Sequence, residues 1–380
     1  MTHTTRSRVL LDNGGRAPWH PLARQAFEQA LDDGWADPRR LHAEGRRAAA
    51  LLSGAREAVA AALGARTEEV VFTPSHTASL HTAVAAAAAG RRRAGTRVVV
   101  GAVERAAVLH AAGHGGLERH VVDVDRSGRV DEAAMCEALA RPGAALAALQ
   151  HANGEVGTLQ PVEAVHEAAR DAGVPILVDA GASLGHAPVP DTWDVLAADP
   201  GDWGGAPGVG VLALRSRVRR RSPFPEDPGA LVPGGVSVPA AFSAAVGLQA
   251  VLADRDAQDA RRRALVERVR TSVATVPDVE VVGDPVARLP HVATFSFLYV
   301  DGEALLAELD REGIAVGSGS ACTSSSLEPS HVLSAMGVLT HGNVRIALDR
   351  STTDDDVDRL LAVLPGAVAR VRSALGVEGL

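Results

Sequence analysis

Residues 194–214, DVLAADPGDWGGAPGVGVLAL, run from a short apolar stretch through a Gly-rich loop into a second apolar stretch. Short apolar runs bounded by Gly, Pro and Asp are strand signals, so the passage predicts strand, loop, strand. A loop in this setting often carries a catalytic group. Here it offers Asp202 and Trp203 and no strong nucleophile.

Outward from this passage, apolar runs alternate with helical patterns. Strands are expected at 69–73, 97–102, 120–124, 145–151, 176–179, 195–198 and 209–214, with helices at 43–64, 77–91, 105–113, 131–140 and 161–172. Such alternation predicts an α/β fold whose large unit is a mostly parallel seven-stranded sheet covered on both faces. A long helix over 238–275 leads to strands at 279–282, 293–300 and 344–348 and helices at 302–312 and 353–374. These predict a smaller α+β domain. The expected division is 16–250 for the large domain, and 1–15 with 251–380 for the small one.

The net charge of −8 argues against a general affinity for nucleic acid. The first fifteen residues lack an apolar core of the kind a signal peptide needs, and no run is long and apolar enough to span a membrane. Two cysteines, Cys136 and Cys322, make no disulfide framework, which suits a reducing cytoplasm. All 38 basic residues are arginine. A chain without lysine has no side chain that can form a Schiff base, because that step needs a primary amine that can deprotonate.

The stretch GSGSACTSSSLEPSHVL (317–333) places Cys322 among small, turn-forming residues after an apolar strand. Such surroundings expose a thiol, and the thiolate is the reactive form. Cys136 lies within helical DEAAMCEAL and reads as a packed residue. His76, His81 and His151 could in principle join Asp179 or Asp202 around a metal, but none has zinc-like spacing, and no metal is expected.

The Cys322 loop closely resembles the active-site loop of cysteine desulfurases, of the class V, fold-type I aminotransferase group. LLDNGGRAP (10–18), EEVVFTPSHTAS (68–79), HANGEVGTLQPV (151–162), ILVDAGASLGH (176–186) and NVRIALDRSTTDDDVD (343–358) are similar to further motifs of that family, so the likeness covers nearly the whole chain. It implies a fold-type I aminotransferase-like fold and a homodimer. It also implies Thr77 as a binder of the pyridoxal phosphate group, Asp179 as partner of the cofactor's ring nitrogen, Arg345 as holder of the substrate carboxylate and Cys322 as sulfur acceptor.

The departures are as informative. Asp202 aligns with the cofactor-binding lysine, Asp199 with a phosphate-binding serine, and Arg105 with the ring-stacking histidine. Gly154 and Ala182 replace an asparagine and a glutamine. Arg105 is expected to form an ion-pair cluster with Asp179 and Asp202 where the ring would lie. Three readings follow. The first is a desulfurase-like protein without covalent pyridoxal chemistry and without a resident cofactor. It would use Cys322 to take sulfur from a donor or pass it to an acceptor protein, or act as a pseudoenzyme partner. The second is an enzyme holding pyridoxal or pyridoxamine phosphate non-covalently, with Asp202 as acid–base group. The third is a repurposed lyase or transferase independent of pyridoxal.

Overall fold

The computed structural model describes residues 8–224, 230–318 and 329–377. The chain enters through a two-residue strand β1 (Val9–Leu10) and helices α1 (Pro21–Asp33) and α2 (Ala43–Ala62). Strand β2 (Val70–Thr73) follows, then α3 (His76–Gly90), β3 (Arg97–Gly101), α4 (Ala106–Ala112), β4 (Glu118–Val122), α5 (Glu132–Ala140), β5 (Ala144–Gln150), α6 (Val162–Asp171) and β6 (Ile176–Asp179). Strands β7 (Val195–Ala198) and β8 (Gly210–Leu214) flank the Asp202 loop. The large sheet has the order β2-β8-β7-β6-β5-β3-β4. It is parallel except for β8, which runs against both β2 and β7. β5, β6 and β7 are wholly buried, as apolar runs covered on both faces should be.

The helix expected over 238–275 is two helices, α7 (Val238–Ala253) and α8 (Arg255–Val273). The break falls at Asp254, whose φ of −129° and ψ of 16° leave the helical region and whose carboxylate pairs with Arg350. α7 is apolar nearly all round and buried, whereas α8 is rich in Arg and Asp and buries one stripe. α1 has no counterpart among the expected helices. It docks on α7 through Ala23, Ala26 and Ala30, a face too small to give a strong apolar period.

β9 (Val279–Val282), β10 (Val292–Phe297) and β12 (Asn343–Ala347) form an antiparallel sheet. Around it lie α9 (Gly302–Arg311), α10 (His331–Met336) and α11 (Asp354–Ala374), while β11 (Ile314–Ala315) pairs in parallel with β1. This sheet has its own core, including Phe295, Phe297 and Leu364, separate from the two apolar layers of the large sheet. No described helix is long and apolar enough to cross a membrane.

Candidate functional site

Parallel strands β3, β5, β6 and β7 end at one edge of the large sheet, where α/β proteins bind their ligands. β6 delivers Asp179, 4% exposed. Its Oδ1 accepts from the Gly181 N–H at 2.8 Å and lies 2.9 Å from His76 Nε2, while Arg105 Nε donates to Oδ2 at 3.2 Å. Gly181 is required here, since a Cβ would come within 2.5 Å of His76 Nε2. Burial alone would raise the Asp179 carboxyl. His76, the Arg105 guanidinium and the Gly181 N–H outweigh burial and hold it far below the usual carboxylate range. The Arg105 side chain is 37% exposed at this pair. Of the cluster expected around Arg105, the structure shows the ion pair with Asp179, while Asp199 and Asp202 act on the guanidinium only through their charge.

The loop after β7 is a short 3₁₀ turn, Pro200–Trp203. Asp199 caps it by accepting from the Gly201 N–H at 3.0 Å, and Trp203 Nε1 donates to the Ala244 carbonyl at 3.0 Å. Gly204 closes the turn at φ 76°, and a Cβ there would strike the Pro18 carbonyl at 2.5 Å. The turn turns Asp202 inward to 1% exposure. Asp202 Oδ1 accepts from the Gly15 N–H at 2.9 Å. Oδ2 lies 3.0 Å from His186 Nε2, but that ring nitrogen is hydrogen-bonded to the Asp202 carbonyl, and Oδ2 makes no hydrogen bond of its own.

His186, Asp202 and His291 bring ligand atoms within 4.8 Å of one another, close enough to bridge with a metal. The second partner of His186 argues otherwise. Arg262 Nη1 is 2.9 Å from His186 Nδ1, and guanidinium only donates, so the imidazole proton sits on Nε2. Metal-bound histidines usually donate their other nitrogen to an acceptor, and here a permanent cation faces it. The arrangement is a hydrogen-bonded wall, with the two imidazoles stacked at 3.9 Å. Of the other histidines named from sequence, His76 contacts Asp179, His81 is exposed on α3, and His151 lines a different cavity.

Asp202, Arg105, Glu155, His291 and Arg345 all line one cavity of about 150 Å³. Arg345 comes from β12, and its Nη2 donates to Asp12 Oδ1 at 2.8 Å. Gly14 and Gly317 let its guanidinium pack closely: Cβ atoms there would lie 3.3 and 3.0 Å from it. Gly154 and Ala182 are neighbours in the same wall, a Gly154 Cβ falling 3.2 Å from that of Ala182. Burial raises the Glu155 carboxyl to about 7. Thr77 stands exposed in the first turn of α3, outside this cavity, where Ser75 Oγ caps the helix by accepting from the Ala78 N–H at 3.1 Å. Cys322 lies outside the described residues; Ser330, just beyond that segment, lines the cavity. Sequence reasoning missed His186, His291, Arg262 and Glu155. Of these, Glu155 and His186 lie inside quoted motifs, 151–162 and 176–186, whereas Arg262 and His291 carry no local signal.

The aminotransferase class-V family model matches residues 9–360. The chain belongs to the cysteine desulfurase family of class-V aminotransferases. A cysteine desulfurase of Cereibacter sphaeroides is 36% identical, covering 98% of this chain and 99% of its own. Cysteine desulfurase IscS of Dictyoglomus turgidum is 31% identical, covering 96% and 95%. Among solved structures, a NifS-like protein superposes with a TM-score of 0.86 over 94% of this chain and 98% of its own, at 24% identity, a likeness of fold.

Membership corrects the expectation that no cofactor is resident, because this family's desulfurases are pyridoxal phosphate enzymes. The edge does suit that group in part. The N-terminus of α3, with Ser75 and Thr77, is placed to hold a phosphate, and Asp179 to face a ring nitrogen. Burial pushes the Asp199 carboxyl up. No lysine exists to tether the ring, and Arg105 must release Asp179 to admit it. The fit is that of a non-covalent guest. When bound, such a ring supplies an electron sink.

Proposed function

We propose that this protein works in cysteine-desulfurase-type sulfur metabolism as a cytoplasmic homodimer that carries sulfur on Cys322 and does not tether its cofactor. The observation that carries this reading is the replacement at Asp202. The position that would bind the cofactor covalently holds a carboxylate, bonded to Gly15 and turned against His186. Without the tether goes the amine that would also move protons. The supply of sulfur then falls to a donor protein, and Cys322 takes it as a persulfide for an acceptor protein. Ser330, the second described residue after Cys322, lines the cavity.

A second reading has its own support. Asp202 lines the cavity, so with pyridoxal or pyridoxamine phosphate bound non-covalently it could serve as the acid–base group. One experiment separates them. The protein is incubated either with a persulfidated donor or with L-cysteine plus pyridoxal phosphate. The relay reading expects a single added sulfur on Cys322 from the donor, absent in Cys322→Ser, and no sulfide from cysteine. Steady sulfide release from cysteine favours the second reading, and no transfer to Cys322 removes the first.

A further inference from the structure

We infer that the amino edge of the large sheet, opposite the Asp202 edge, binds a small molecule carrying two linked phosphates. Parallel strands β6 and β7 begin at this edge, and antiparallel β8 ends there. Between those strand ends lies a cavity of about 370 Å³. Arg91, Arg170, Arg217 and Arg219 line it, with His166 and Asp194. Val174 and Val218, both buried, give it an apolar wall.

Close packing brings the cations together. α3 ends at Gly90, where a Cβ would meet the Arg219 carbonyl at 2.2 Å. The Arg221 N–H donates to the Ala86 carbonyl in the last turns of the same helix at 3.0 Å. Two arginine runs distant in sequence, 91–93 and 219–221, are thereby held side by side. Their charge is not answered from within: among the described residues none of these six arginines makes an ion pair, and Asp194 already serves Arg217 at 2.8 Å. Arg91 Nε is buried without a hydrogen bond, and buried polar groups are ordinarily paired. An anion from outside answers both. Guanidinium forks match phosphate oxygens, and two linked phosphates reach several forks where one leaves most of them unmet. The cations face a recess, which suits a small molecule. The chain's net charge of −8 opposes a long polyanion at distance, so the attraction belongs to the recess itself.

Neither Cys322 nor the Asp202 cavity takes part, so this site stands or falls apart from the proposed function. Calorimetric titration of the full chain with pyrophosphate, orthophosphate and sulfate tests it. Pyrophosphate should bind at least roughly tenfold more tightly than either of the others. Arg219→Gln and Arg91→Gln should each weaken pyrophosphate by about tenfold, while Arg46→Gln, exposed on α2, leaves it unchanged. ADP separates the two sources of the group. Tighter binding of ADP assigns a nucleotide, and equal or weaker binding assigns free pyrophosphate. Equal affinity for pyrophosphate and sulfate means an adventitious ion only and overturns the proposal. So does unaltered affinity in a folded Arg219→Gln. An oligoglutamate peptide that binds as tightly as pyrophosphate would make the surface a docking face for an acidic chain and would likewise overturn it. Should Arg91→Gln not fold, Arg219→Gln, at an exposed position, still decides.

Discussion

Asp179 and Asp202 are both buried carboxylates at the same edge of the large sheet, yet their surroundings differ. Asp179 is saturated: Gly181 and Arg105 donate to it, and His76 lies against it. Asp202 has one oxygen bonded to Gly15 and another that has no hydrogen bond. The first is a structural anion, its charge answered from within the chain. The second keeps one oxygen without a hydrogen bond, set 3.0 Å from His186 Nε2. The family resemblance implies the opposite order, with Asp179 expected at the cofactor's ring nitrogen and Asp202 expected at a lysine position. The partners a carboxylate has already taken, more than the alignment column it occupies, decide what it can still do.

The contrast is broken most forcefully at Asp179. Asp179→Ala strands His76 and Arg105, and losing one member of a buried pair costs about 3–5 kcal/mol. Because Arg105 is 37% exposed, the lower end is expected in urea unfolding. The folded carboxyl titrates below its unfolded value near about 3.9, so its contribution is present above that pH and is lost as pH falls below it. A loss under about 1 kcal/mol would mean the pair is not structural.

Asp202→Ala should cost less, about 1–3 kcal/mol, from the Gly15 N–H left without an acceptor. A loss equal to that of Asp179→Ala would erase the distinction between the two anions. Arg105→Ala leaves the buried Asp179 carboxylate with the Gly181 N–H and His76 alone, so stability should fall by about 1–2 kcal/mol, less than for Asp179→Ala. The same change frees Asp179 Oδ2, and pyridoxal phosphate followed by absorbance should bind more tightly. Weaker binding would show that Arg105 helps hold the guest.

The smallest effect concerns Glu155. Its folded carboxyl titrates at about 7, above an unfolded value near about 4.3. The folded state therefore binds the extra proton, and this contribution to stability is full below about 4.3 and declines as pH rises towards 7. Glu155→Gln should flatten that part of the stability profile, while an unchanged slope would place the titration on another group.

Much of this was legible in sequence because it is local. β9 spans Val279–Val282, as the short β-branched run predicts, and the ends of α9 follow from the Asp301 cap. The Arg105–Asp179 pair was legible because both residues follow from motifs at the carboxyl ends of β3 and β6, two strands flanking β5. The turn at Asp254 was not, since a charged helical pattern continues through it and only the Arg350 pairing and local φ mark the break. His186, from the loop after β6, and His291, just before β10, meet Asp202, while Arg262 on α8 bonds His186 behind it. No spacing along the chain encodes that meeting, which arises where the small sheet packs on the edge of the large one.

The most direct test is mass spectrometry of the protein after incubation with a persulfidated donor. The account predicts a single added sulfur on Cys322 and none in Cys322→Ser. No transfer to Cys322, or equal labelling of that variant, would contradict it.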